Sequence, residues 1–251
     1  MSAAPSGSRS LRIVPVLMLV PAGLLIVFVF GQPLAMILRM SFNDWVPPRF
    51  YVDGATLDQY RRILSDPVVR DAIRNSLLLA GAAALACVMI GYALAFLIWA
   101  RSGRWRLAVI GLMLCPLLIS EISVIFGWWM FLPRNGLLSW ALTQTHLIAA
   151  PVSLLYHETT ALIGLIYIIL PFSFFILLST FQRLDWQHLE ASADLGAPAW
   201  ATFHQILLPQ TWKGVILAFS QAFIWAVGTY ASPRALGPDT LWTMGGMVED
   251  Q

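Results

Sequence analysis

A succession of long apolar runs constrains this chain more than any other feature. Ser76–Ala100 reads SLLLAGAAALACVMIGYALAFLIWA, with no acidic or basic side chain. Crossing roughly 30 Å of hydrocarbon takes about 20 helical residues. Five runs are read as spans, approximately Ile13–Leu38, Ser76–Ala100, Leu107–Leu132, Ala161–Phe181 and Val215–Tyr230, the last being the shortest. Composition agrees. Hydrophobic residues make up 59% of the 251 and charged residues 11%, against roughly 45–50% and about 25% in soluble domains. So little polar surface could not cover a soluble globule of this size. The expected fold class is all-α, a polytopic helical membrane protein. Pro21, Pro33, Pro116 and Pro171 fall inside spans and are expected to kink them, with neighbouring helices satisfying the freed carbonyls.

The charged SRSLR before the first run resembles a signal peptide's opening, but the apolar stretch exceeds the usual 7–15 or so residues of such a leader. It is read as a retained helix behind a short tail, residues 1–12. Short loops orient the bundle through their Lys and Arg bias. RSGRWR carries Arg101, Arg104 and Arg106, whereas the connection 133–160 carries only Arg134. This places the amino terminus and RSGRWR in the cytoplasm of a bacterial-type inner membrane. The 39–74 loop, with six arginines and five aspartates, argues the other way. Residues 137–156, interrupted by Thr143, Gln144, Thr145 and His146 and broken at Pro151, are read as an interfacial helix within an outer lid, 133–160. A sixth span there would move the amino terminus outside.

Cys87 and Cys115 lie in separate apolar runs and are read as small core residues. No Lys/Arg block suggests nucleic acid. His146, His157, His188 and His204 show no metal-like spacing. No phosphate-cradling G-x-x-x-x-G-K-[ST] occurs, so the chain is not expected to hydrolyse ATP or bind a cofactor itself.

Between the last two spans the chain turns polar at LEASADLGAPAWATFHQILLP, residues 189–209. Asp185 is placed to cap a helix from Trp186 through Leu195. Gly196 is placed to leave it in a left-handed conformation, and Pro198 follows. A second short helix is expected from Ala199 to Leu207, ended by Pro209. Ala191, Ser192 and Ala193 would let another surface approach closely, while Glu190 and Asp194 set two like charges on one face. From spacing alone a solvated connector fits equally well.

The stretch resembles the cytoplasmic loop of permease subunits of ATP-binding-cassette importers, which reads Glu-Ala-Ala, then Gly, then Ile-x-Leu-Pro. Glu190, Ala191, Gly196, Ile206, Leu208 and Pro209 occupy those places, and Ser192 replaces the second alanine. Lys213–Gly214 stands where Pro-Gly often follows. IRNSLLLA (73–80), LLYHETTALIGLIYIILPF (154–172) and YASPRALG (230–237) resemble the spermidine/putrescine-type branch. The resemblance covers nearly the whole chain. It implies a permease subunit forming half of a translocation pathway, with a coupling helix around Glu190–Leu195. Glu190, Ala191, Ser192, Asp194, Gly196 and Ala197 would contact a separate ATPase. It also implies two cytoplasmic ATPase subunits that hold ATP and Mg2+, a sister permease and an extracytoplasmic substrate-binding protein. The substrate would be a polyamine or a similar small organic cation. The branch normally has six spans; the sixth is expected either beyond these residues or from a partner.

Glu121 lies near the middle of the third run, between Ser120 and Ser123. An ionisable residue at that depth is a functional candidate. It either faces the pathway and favours a cation, or bonds a neighbouring helix or a carbonyl freed by Pro116. Tyr167, Gln221 and Tyr230 are further pathway candidates. Two other classes stay in view: a self-contained secondary transporter, which should show two matched halves where no internal repeat is found, and a membrane scaffold.

Overall fold

The computed structural model describes residues 19–43, 54, 56–101, 103–148, 150–238 and 240–249. The expected tail, 1–12, and the start of the first expected span lie outside them. Among the described residues every regular element is helical. The chain divides into two compact units, Met1–Pro67 and Val68–Gln251.

In the first unit, α1 (Leu19–Ser41) is long and apolar enough to cross a membrane, with a π turn at Val27–Gly31. None of its side chains in the crossing window is buried, as suits a surface whose solvent is lipid. After it, α2 (Asp58–Ser65) is tied back to the end of α1. The hydroxyls of Ser41 and Tyr60 lie 2.7 Å apart, and the Tyr60 ring packs 5.8 Å from that of Phe42.

The second unit is built on three helices: α3 (Pro67–Ala100), α7 (Glu158–Phe181) and α9 (199–228). Helix α3 buries a stripe of mostly small residues at helical spacing, Ala80, Ala84, Cys87, Gly91 and Ala95. Helix α9 buries Thr211, Gly214, Ala218, Ala222 and Ala226. Between them α7 supplies the bulk, with Leu165, Ile169, Phe174, Leu177 and Phe181 fully enclosed. In lipid no hydrophobic effect drives helices together, so close packing of small residues has to do so. Two glycines set the limits. A Cβ on Gly91 would lie 3.3 Å from the Phe174 nitrogen, and one on Gly214 would lie 2.2 Å from Thr180 Oγ1.

Two of the five expected runs differ in form. The run Leu107–Leu132 is not one rod. It forms α4 (Arg104–Leu118) and α5 (Glu121–Phe131), bent by 103°. Pro116 tightens the end of α4 into a 3-10 turn over Cys115–Leu118, and Ile119 and Ser120 then adopt extended backbone. Glu121 is accordingly the first residue of a new helix rather than the middle of a span. Among the described residues three helices, α1, α3 and α7, are long and apolar enough to cross a membrane, or four segments if the bent pair counts as one. The fifth run ends at Gly228, leaving Tyr230 outside it, and begins far earlier than Val215. Ala199–Thr202 leads through a π turn at Phe203–Leu207 directly into Leu208–Gly228. Pro209 therefore does not end a helix. Its missing N–H and ring are accommodated where the backbone has already widened, a usual setting for a π turn.

Among the described residues of the 133–160 segment, the helix that precedes α7 is the eight-residue α6 (Leu137–Gln144), about 12 Å long at roughly 1.5 Å per residue and too short to span. Beyond it the Leu154 amide donates to the Leu132 carbonyl and the Tyr156 amide to the Leu236 carbonyl. Those bonds pin the loop beside α10 (Ala231–Leu236), with Leu132, Leu155 and Leu236 forming a small core. The last described helix is α11 (Met244–Glu249).

Gly214→Ala should destabilise the bundle by about 1–3 kcal/mol, the usual cost of overpacking. A thermal melt of the purified protein in nanodiscs should show the loss. Adding Thr180→Ala, which removes the two closest atoms, should recover part of it.

Candidate functional site

The loop between α7 and α9 is rigidly built. Helix α8 (Gln187–Asp194) starts one residue later than expected: the Gln187 amide donates to Asp185 Oδ1 at 3.0 Å, and Trp186 occupies the cap. It ends at Asp194, with Leu195 as its cap residue. The Gly196 amide donates to the Ala193 carbonyl and the Ala197 amide to that of Ser192. Gly196 has φ +70°. This paired pattern is the Schellman closure, and its left-handed residue favours glycine.

One face of α8 is anchored. Leu189 packs on the core around Phe181 and Leu207, and the Trp186 ring sits 4.8 Å from Trp99 at the end of α3. Ser192 is buried, with its hydroxyl 2.7 Å from that of Thr202 on α9. The other face is open: Glu190, Ala191, Ala193, Asp194 and Gly196 are exposed, and Leu195 is 87% exposed. Of the expected contact residues, then, Ser192 faces inward as a fastener, while Ala197 is half-buried. Ile206 and Leu208 are half-buried and Pro209 exposed. Leu207, passed over by the motif, is the buried one. Leu189 and Ser192, three apart, were the available signal for an inner face.

A second site lies at the break between α4 and α5. Pro116, Leu117, Ile119, Glu121 and Val124 line a cavity of about 180 Å³ together with Tyr167, Ile168 and Phe172 of α7 and Trp225 of α9. The Phe172 and Trp225 rings pack 4.7 Å apart, and Trp128 meets Tyr167 edge-on at 5.8 Å. Glu121 Oε1 is shielded from solvent and has no hydrogen-bond partner. A carboxylate in a helix's first turn gains from the helix dipole. Leaving a buried acceptor unmatched nonetheless costs about 1–3 kcal/mol. The structure thus brings Glu121 and Tyr167 together. Gln221 lies one turn from Trp225 on α9 with its own Oε1 buried and unmatched, but it does not line the cavity. Tyr230 packs against Gly245 instead. Phe172 and Trp225 went unnoticed because two ordinary aromatics in separate apolar runs carry no local mark. Among the described residues no three His, Cys, Asp or Glu side chains come together as a metal site.

Relatives and solved structures identify the family of the chain. Over 229 residues the chain is 31% identical to the spermidine/putrescine transport system permease protein PotB of Escherichia coli K12, spanning 91% of this chain and 82% of that protein. It is 30% identical over 226 residues to PotB of Haemophilus influenzae, spanning 90% and 79%. No family model matches it. A solved bacterial alginate ABC transporter, in complex with an alginate pentasaccharide-bound periplasmic protein, shares the fold with a TM-score of 0.74 at 19% identity. That likeness covers 93% of this chain and 79% of the other. The architecture is that of a transmembrane permease subunit of an ABC importer. By its identity to the PotB proteins, the chain belongs to the spermidine/putrescine-type branch of those permeases.

Gly196→Ala, where an added Cβ meets nothing within 4 Å, should cost only the left-handed strain of roughly 1–2 kcal/mol. Ser192→Ala should loosen the same segment by freeing Thr202. Hydrogen exchange should speed up several-fold at the amides of 193–197 in both variants, with the bundle amides unchanged.

Proposed function

We propose that this permease subunit imports a polyamine or a similar small organic cation across the inner membrane, driven by ATP hydrolysed in partner subunits. Supporting the substrate class is the identity with proteins named for spermidine and putrescine transport over nine-tenths of this chain. On this reading the amino terminus and the α7–α9 loop are cytoplasmic, and the 133–160 lid faces out. A substrate-binding protein delivers at the lid side, and a sister permease completes the pathway. Two ATPase subunits, which carry ATP and Mg2+, engage the permease pair.

The observation that carries the coupling role is the division of α8 into two faces. An open face of small and acidic residues with a protruding Leu195 suits a groove on another protein. The opposite face is fastened to α3, α7 and α9, so a pull on α8 is passed to the bundle. Glu190, Ala191, Asp194 and Gly196 would meet the ATPase; Ser192 would transmit. Ile206, Leu208 and Pro209 would serve the fastening side. A self-contained secondary transporter would have no use for such a docking face.

The test is co-purification from native membranes, comparing the unaltered chain with a Glu190→Ala, Gly196→Asp variant. A Walker-motif ATPase should accompany the former and be lost, at least tenfold, with the latter. Undiminished ATPase on the variant, with the permease itself folded, would sink the coupling role.

A further inference from the structure

We propose that the cavity at the break between α4 and α5 binds one primary ammonium group of the transported molecule, with Glu121 as its counter-charge and Tyr167, Phe172 and Trp225 as its walls. The identity of the ligand rests on the cationic-substrate reading above; the site itself rests on geometry. Glu121 Oε1 is a shielded acceptor without a donor. Glu121 lines one space with the aromatic side chains of Tyr167, Phe172 and Trp225, and aromatic faces attract cations within about 6 Å of the ring centre.

Other guests fit less well. An apolar molecule would leave Glu121 unmatched, and an anion would be repelled by it. A metal ion would find one carboxylate and no other acidic, histidine or cysteine ligand in the lining. An alkylammonium satisfies every feature. Its N–H groups supply the missing donors, its positive head suits the ring faces, and its methylenes suit Pro116, Leu117, Ile119 and Val124.

Size sets how much is held. About 180 Å³ is some six waters at roughly 30 Å³ each, room for an ammonium head and a few methylenes. A longer di- or polyamine would be gripped by one end, the rest extending out of the cavity. One such site recognises an ammonium terminus without measuring chain length, so putrescine and spermidine would compete for it.

The assembled transporter in nanodiscs provides the test. A hydrophobic carbodiimide modifies shielded carboxyl groups, and mass spectrometry reads the adduct at Glu121. Butylammonium or putrescine should lower that labelling at least fivefold, while sodium at equal ionic strength should not. Trp225→Leu should weaken the protection. Glu121→Gln should raise the KM for spermidine uptake about tenfold. Unprotected labelling at saturating butylammonium, in a complex that still imports spermidine, would overturn the site and leave the substrate reading standing. Protection by butylammonium in a complex that imports neither polyamine would do the reverse. Should Glu121→Gln fail to assemble, the labelling of unaltered protein decides alone.

Discussion

Everything in the second unit depends on how closely α3 and α9 approach α7. The approach is fixed where large meets small: Phe174 over Gly91, Thr180 over Gly214, and Leu165 and Ile169 against the alanines of the flanking helices. Lipid-filled surroundings offer no hydrophobic reward for such contacts, so dispersion at short range must supply it. Small residues earn their place by admitting the neighbour's backbone. A methyl group at Gly214 would have to displace Thr180. The same crossing continues into polar fastening at the loop end of the bundle, where the Tyr92 hydroxyl of α3 lies 3.0 Å from that of Thr211 on α9. Its ring packs edge-on to Phe181 at 4.9 Å.

That packing gives the α7–α9 loop its stiffness. Phe181 closes α7 inside a cluster of rings that includes Tyr92, Phe96 and Trp99, and Trp99 reaches Trp186 at the foot of α8. From the other side Ser192 is bonded to Thr202. Helix α8 is therefore held at both ends by different helices, although only eight residues long. A serine replaces the second alanine of the family triplet, and its position explains the tolerance. The side chain faces inward, where Thr202 supplies the partner that makes a hydroxyl acceptable.

Local signals were legible in the sequence and tertiary ones were not. Gly196 and Pro198 marked the end of α8 because left-handed closure is decided within a few residues. The apolar runs marked the bundle because length and apolarity are properties of a segment. The bend at Ile119–Ser120 was hidden, since Pro116 sits three residues before it and prolines inside spans often only kink them. The continuity of α9 through Pro209 was hidden for a similar reason, because a π turn ending two residues earlier takes up the ring. Pairing Glu121 with Trp225 needs the bend, which turns the start of α5 toward α7 and α9. No periodicity could have supplied it.

The two candidate sites share their supports, and this bears on how one would act on the other. The cavity takes Tyr167, Ile168 and Phe172 from α7 and Trp225 from α9, the helices that flank the loop. From Ile168 to Phe181 is thirteen residues, about 20 Å along the helix at roughly 1.5 Å per residue. A force on α8 reaches the cavity through those two rods and also through α4, whose Val109, Ile110 and Met113 pack on the same core as Leu189. Reversing a 1:99 balance of states takes about 5.5 kcal/mol, several times a single hydrogen bond at about 1 kcal/mol. Were α8 held by the Ser192–Thr202 bond alone, that much work would break the fastening before it moved the bundle. Leu189, Trp186 and the ring cluster around Phe181 spread the load over apolar contacts that must fail together. Since the walls of the cavity belong to both rods, a change in the angle between α7 and α9 would shift Phe172 relative to Trp225 unless it pivoted on that contact. The grip on a bound ammonium would then follow the state of the loop, with no separate gate.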